Sequence, residues 1–204
     1  FTINESLESI LEGIWKRQPK VIGFSCYIWN WKLIREILTE LPKILPDTEI
    51  WLGGPEVTYD GPGLLSEFPQ VTGIMVGEGE VTFREVLGQY VREAESTGQS
   101  EQQPESGSTE QQAADRMGTV AGKTVAERFG QISGLCLASG YTAPRELTDL
   151  TTLPFLYEDM EPFTNRIIYY ETSRGCPYRC SYCLSSIDKK VRLRDISVVK
   201  RELQ

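Results

Sequence analysis

The amino-acid sequence predicts an open, doubly wound α/β sheet. Three observations carry the prediction: apolar runs of strand length alternate with stretches of helical periodicity, glycine turns follow the apolar runs, and prolines stop the helical stretches. The chain has 204 residues, 40% of them apolar and 25% charged, an ordinary globular composition that excludes a wholly disordered or fibrous chain.

Leu7, Ile10, Leu11, Ile14 and Trp15 fall at the i, i+3, i+4, i+7, i+8 spacing that paints one helix face, and Pro19 ends that stretch. Val21 to Cys26 (VIGFSC) is nearly continuous in apolar residues, as befits a strand covered on both faces of a parallel sheet. Leu33, Ile34, Ile37, Leu38, Leu41 and Leu45 resume the helical spacing as far as Pro46. Glu49 to Leu52 reads as the next strand, running into Gly53-Gly54-Pro55, and Gly73 to Val76 as another, running into Gly77-Glu78-Gly79-Glu80. Phe83, Val86, Leu87, Tyr90 and Val91 mark a third helix. Such sheets ordinarily have about five strands or more. Three are evident and Phe1 to Ile3 reads as the tail of another, so a first β-α unit is expected to be missing and the chain to be an excerpt.

From Ala94 to Arg116 no apolar residue is larger than alanine, and five acids face one base. That stretch has too little to bury to offset its chain entropy and is expected to be a disordered insertion. Thr119 to Val125 and Gln131 to Ala138 are expected to pair as a hairpin turned near Gly130, followed by a connector through Pro154 and Pro162. Ile167 to Glu171 (IIYYE) reads as a further strand, and Val198 to Leu203 as a helix capped by Ser197 or Asp195.

The formal charge of −8, from 21 bases and 29 acids, opposes tracking of a phosphate backbone, so nucleic acid is not an expected partner. No apolar run approaches the roughly 20 residues that cross a bilayer, and no membrane association is expected. The absence of histidine removes the usual general base at neutral pH and excludes Ser-His-Asp, Cys-His and histidine-bound zinc sites within the chain. Five cysteines, an odd number with three crowded into eight positions, do not read as a secreted disulfide framework; a reducing, cytoplasmic setting is expected.

Cys176, Cys180 and Cys183 stand in SRGCPYRCSYC, a CxxxCxxC spacing directly after a predicted strand. Three thiolates on one tight loop suit three irons of a 4Fe-4S cube and leave the fourth open to a substrate or cofactor. A structural zinc site would want a fourth ligand, and Cys26 and Cys136 lie far off in sequence; a redox dithiol of Cys180 and Cys183 would leave Cys176 unexplained. Cys26 and Cys136 sit within apolar runs and read as small core hydrophobes. Glu78 and Glu80 can be read as an acid-base pair or as first-turn residues of a helix, and Arg192 and Arg194 as facing an anionic group or as surface arginines.

The segment SRGCPYRCSYC resembles the signature loop of the radical S-adenosylmethionine (SAM) family. The resemblance implies that Cys176, Cys180 and Cys183 hold a 4Fe-4S cluster, that SAM chelates its open iron, and that Tyr182 packs against the adenine. It also implies an external electron donor, cleavage of SAM to a 5'-deoxyadenosyl radical, and a partial TIM-type barrel of which residues 166–204 are the first β/α unit. A complete eight-unit barrel takes about 250 residues, so the contacts to an unknown substrate are expected to lie past Gln204.

The preceding portion resembles the Rossmann-like cobalamin-binding domain found in many of these enzymes, where a serine after one strand and a Gly-Gly pair after the next line the pocket for the cofactor's nucleotide tail. The matching residues are Ser25, Gly53 and Gly54, with Tyr27 where the family has a leucine; the turn holding Glu78 is also similar. The family's DxHxxG motif has no counterpart here, so cobalamin would be bound without a lower-face histidine, or the pocket would be vestigial. The plain alternative gives Ser25 to a strand-end amide and the glycines to βα turns. The expected organisation is a cobalamin-binding-like domain over 1–93, the insertion over 94–118, hairpin and connector over 119–165, and the start of a radical SAM barrel over 166–204. The expected activity is radical chemistry or cobalamin-dependent methyl transfer. Its rival is a non-catalytic cobalamin- or nucleotide-binding module with a metal-binding cysteine loop.

Overall fold

Ser6 starts the first helix: its hydroxyl accepts the Ser9 amide at 3.2 Å, and α1 runs Leu7–Arg17 until Gln18, at φ 44°, reverses the chain ahead of Pro19. The computed structural model describes residues 5–98, 122–186 and 190–204, and the chain divides into two units, Phe1–Glu146 and Leu147–Gln204. Phe1 to Ile3, residues 99–118 of the expected insertion and residues 119–121 at the start of the expected hairpin lie outside the described residues.

In the first unit, β1 (Val21–Ser25), β2 (Glu49–Gly53) and β3 (Val71–Met75) pair in parallel, connected by α2 (Trp31–Ile44) and α3 (Gly61–Glu67). Ile10 and Ile14 of α1, Ile34 and Leu38 of α2 and Leu65 of α3 pack over Ile50, Leu52 and Ile74 of the sheet. A separate apolar cluster joins Trp51 and Met75 to Val86 of α4 (Gly79–Gly98). Each such side chain, fully buried, contributes roughly 1.5–3 kcal/mol, which is why helices wound on both sides of three short strands hold the sheet. Trp15, expected on the buried face of α1, is instead 53% exposed.

Two local devices make this packing fit. Pro42 sits inside α2 and offers no amide to the carbonyl of Leu38, which instead accepts the Gln70 side-chain amide at 2.7 Å. The β2–β3 register shifts between Ile50 and Trp51, and the Ile50 amide turns to the Thr72 hydroxyl at 3.0 Å. At Gly73 a Cβ would lie 2.6 Å from the Trp51 ring, so glycine lets that indole cross β3. Helix α3 was not expected: it has only seven residues and begins Gly61-Pro62-Gly63, with the proline preset for a first turn.

The expected hairpin is corrected by the structure. Val125–Phe129 is a helix, α5, opened by a capping box in which the Glu127 amide donates to the Thr124 hydroxyl at 3.2 Å and the Thr124 amide to the Glu127 carboxylate at 2.7 Å. The hairpin is formed by β4 (Leu135–Leu137) and β5 (Gly140–Tyr141), and it extends the sheet antiparallel beyond β3, giving the order β1-β2-β3-β4-β5. The sheet is therefore mixed. Helix α4 runs through Gly98, so the first five residues of the stretch expected to be unstructured are helical.

Arg128 of α5 closes the α4 side of the sheet. Its guanidinium donates to Glu93 at 3.0 and 2.8 Å and to Glu49 at 2.7 Å, and its side chain is 1% exposed. The Tyr90 hydroxyl donates to Glu49 and accepts the Trp51 indole N–H at 2.8 Å. Burial alone would lower the Arg128 pKa, but the two carboxylates hold it above the usual range. Burial pushes the Tyr90 hydroxyl up, and its bond to Glu49 pushes it further.

In the second unit, β6 (Ser173–Arg174) pairs antiparallel with β7 (Arg192–Leu193), and α6 (Ile196–Leu203) follows with Asp195 as its cap, accepting the Ser197 amide at 2.7 Å. The strand expected at Ile167 to Glu171 has no ladder partner among the described residues, and Ile167 and Tyr169 are each 83% exposed. A strand needs a neighbour for its backbone groups, and here pairing is made only two residues further on. The expected barrel start is thus represented by an antiparallel pair rather than a parallel β/α unit among the described residues. Arg194, expected either to face an anionic group or to be a surface arginine, is buried. It donates to the carbonyls of Leu150 and Leu153 at 2.8 and 2.7 Å and to Glu202 at 2.6 Å, while Arg192 donates to Thr148 O at 2.8 Å. Among the described residues, no helix is long and apolar enough to cross a membrane.

Candidate functional site

In parallel α/β sheets ligands bind beyond the carboxyl ends of the strands, where the chain turns away and leaves a crevice. Three of those ends meet here. Ser25 closes β1 opposite Gly53, which closes β2, and Leu52 lies opposite Ile74 one residue before β3 ends. The Cys26 amide donates to Gly53 O at 2.7 Å, and the Glu56 amide returns to Cys26 O at 3.3 Å, so the two loops are laced together by backbone alone. Asn30 folds the first loop by accepting the Tyr27 amide at 2.8 Å and donating to Ser25 O at 2.9 Å.

The two glycines of the pair do different work. Gly54 has φ +102°, and a Cβ there would lie 2.5 Å from Cys26 O, so only glycine lets the loops approach. A Cβ on Gly53 would meet Met75 Cβ at 3.6 Å, ordinary contact, so the packing does not demand glycine there. After β3, Cβ atoms on Gly77 and Gly79 would meet nothing within 4 Å, and Glu78 is half-buried between them. A small side chain at Gly53 would thus rest against Met75, and one at Gly77 or Gly79 would project into open space beside the end of β3.

One feature of this edge escaped the sequence reading. Tyr27 and Trp29 stack with ring centroids 4.5 Å apart, and Ile28, Trp29 and Tyr59 are exposed. Three large apolar residues in succession directly after a strand were the available signal. Cys26 is inert here: burial pushes its thiol up to about 12, and its sulfur donates to Phe24 O at 3.6 Å.

Cys176, Cys180 and Cys183 follow β6 on one loop, closed by the Cys183 amide donating to Cys180 O at 3.2 Å. All three are free thiols; Cys176 and Cys180 are half-buried, Cys183 is exposed, and Tyr182 is 91% exposed. Three soft sulfur donors and no nitrogen are the donor chemistry of an iron-sulfur cluster. The loop does not gather them, since among the described residues no group of three or more Cys, Asp, Glu or His side chains converges to hold a metal ion.

The comparisons with known proteins bear on both sites. Residues 1–87 match the B12 binding domain family. The chain is 29% identical over 177 residues to the cobalamin-dependent radical SAM methyltransferase TokK of Streptomyces tokunonensis, an alignment covering 81% of this chain and 22% of that protein. It is 27% identical over 211 aligned positions to the 2-(S-pantetheinyl)-carbapenam-3-carboxylate methyltransferase of Streptantibioticus cattleyicolor, covering 98% of this chain and 27% of that one. The chain therefore spans about a quarter of the length of these relatives. The chain thus matches the B12 binding domain family over residues 1–87 and is similar along most of its length to methyltransferases, one of them named as a cobalamin-dependent radical SAM enzyme.

Proposed function

We propose that this chain is the cofactor-binding portion of a cobalamin-dependent radical SAM methyltransferase. The observation that carries the cobalamin half is the match of residues 1–87 to the B12 binding domain family; at the strand ends Gly53 is glycine without a packing reason, and Gly77 and Gly79 border open space. In this reading Ser25 and Gly53 face the nucleotide tail, Gly54 keeps the two loops close enough to form the wall, and the turn at Glu78 borders the opening. No histidine is present in the chain, so none of its residues supplies an imidazole to cobalt.

Cys176, Cys180 and Cys183 would hold a 4Fe-4S cluster, with Tyr182 beside the adenine of SAM. Bound together, the cofactors would supply a transferable methyl group and the radical that activates an unreactive carbon. An external electron donor, a small-molecule substrate and the remainder of a barrel complete the proposal.

Titration with hydroxocobalamin, followed by its absorption spectrum, tests the central element. Saturable binding by the wild type with a spectrum lacking imidazole ligation, and its loss in Gly53→Trp with the far-UV dichroism unchanged, is the expected result. Undiminished binding by Gly53→Trp, or none by the wild type, overturns it.

A further inference from the structure

We propose that Arg145 is a positioning residue for the cofactor turn, fixing where residues 77–80 lie although it is remote from them in sequence. The inference deepens the cobalamin reading and rests on it. The turn between β3 and α4 is open on its outer side, since neither Gly77 nor Gly79 would bring a Cβ within 4 Å of anything, so no side-chain packing at those two positions props it. How its two ends are held is therefore one determinant of its placement.

Both ends are held by the same short segment ahead of β4. At the entry, the Val76 amide donates to Gly134 O at 2.8 Å. At the exit, Thr82 of α4 is fully buried and its hydroxyl donates to Ser133 O at 3.3 Å. Arg145 joins these groups. Its Nε donates to the Thr82 hydroxyl at 2.7 Å and to Ser133 O at 3.2 Å, one terminal nitrogen donates to Ser133 O at 3.0 Å, and both terminal nitrogens face the Glu85 carboxylate. One planar guanidinium thus grips two successive turns of α4 and the backbone beside Val76. Gly134, at φ +79°, makes room for it, because a Cβ there would lie 2.9 Å from the Thr82 hydroxyl and 3.2 Å from Arg145 Cβ. A lysine could donate from one point only and could not span these acceptors.

The test uses the 204-residue chain as wild type, Arg145→Lys, Arg145→Ala and Thr82→Val, the last nearly isosteric and chosen to keep the fold. Hydroxocobalamin affinity is measured by titration, and amide hydrogen exchange is measured in the cobalamin-free protein. Both Arg145 variants should weaken binding about tenfold, and Thr82→Val about threefold, the scale of one to a few charge-assisted hydrogen bonds. Exchange should quicken in the first turns of α4, from Thr82 to Val86, while β1 and β2 stay as protected as before; a merely structural loss would quicken all of them together. Affinities within twofold of wild type in Arg145→Ala, or in Thr82→Val should Arg145→Ala not fold, overturn the proposal. If the wild type binds no cobalamin, the cofactor reading fails by itself and exchange decides the clamp: unchanged protection from Thr82 to Val86 in the variants refutes it, and local loss upholds it.

Discussion

At the strand ends of the first unit, Cys26, Gly53, Gly54 and Glu56 are locked by backbone hydrogen bonds, with a buried thiol behind them; on the cysteine loop of the second, Tyr182 is 91% exposed and the three thiols are not gathered. The difference separates two ways in which the proposed cofactor sites would be made. A pocket for a large organic ligand can be built from strand ends before the ligand arrives, because the sheet fixes them. A site for a metal cluster on a short loop has its geometry completed by the metal, and its binding energy becomes ordering energy for the loop. Mutations in the first region should therefore be felt in stability, and mutations at the cysteines only in metal uptake.

The largest expected effect lies behind the strand ends. Arg128→Met would leave Glu49 and Glu93 uncompensated beside the apolar cluster and should cost about 3 kcal/mol. Urea unfolding followed by tryptophan fluorescence reads this, since Trp15, Trp29, Trp31 and Trp51 all lie in the first unit. The same ion pair sets a pH dependence. Burial works to raise the Glu93 pKa, but the bonds from Arg128 outweigh it and hold that carboxyl below the usual range in the folded state. Its contribution is therefore complete above the ordinary carboxylate pKa and is lost as the pH falls through the lowered folded value. Unfolding at pH 7 and pH 3 should show a smaller acid loss in Arg128→Met than in the wild type; equal losses would remove the pair from the account.

Next comes the contrast between neighbouring glycines. Gly54→Ala forces a Cβ into Cys26 O at a left-handed φ and should cost about 2 kcal/mol or more, whereas Gly53→Ala should stay within about 1 kcal/mol. Similar costs for the two in the same unfolding assay would break the distinction between a glycine the fold needs and one it does not.

The smallest stability effects belong to the cysteine loop. Cys176→Ala, Cys180→Ala and Cys183→Ala should each change stability by less than about 0.5 kcal/mol yet abolish iron uptake on anaerobic reconstitution. Cys26→Ala and Cys136→Ala should do the reverse, keeping iron uptake while costing about 1–2 kcal/mol of packing. Retained iron in Cys176→Ala would show that the loop is not the metal site.

Much of the architecture was legible because apolar spacing reports burial directly: β1, β2, α1, α2 and α4 fall where the periodicity places them. What escaped has physical causes. Helix α3 is short and glycine-flanked, so it shows no period. The stretch at Thr124 was read for its apolar content although Thr124 and Glu127 form a capping box, and that moved the hairpin to Leu135–Leu137 and Gly140–Tyr141. The burial of Arg194 was not legible because nothing in its neighbourhood of sequence reveals the carbonyls of Leu150 and Leu153 that surround it. At the site, the positions of Ser25, Gly53 and Gly54 at strand ends were readable, but the need for glycine at Gly54 alone depends on an approach to Cys26 from another strand. The cysteine spacing named a chemistry, and spacing says nothing of whether the loop gathers its sulfurs unaided.

Iron, sulfide, cobalt and zinc analysis of the chain after anaerobic reconstitution with iron, sulfide and hydroxocobalamin tests both halves of the proposal at once. One cobalt and one four-iron cluster per chain, with zinc negligible, is the result expected of a protein carrying a cobalamin site and a radical SAM cysteine loop. Stoichiometric zinc with neither iron nor cobalt retained would contradict it.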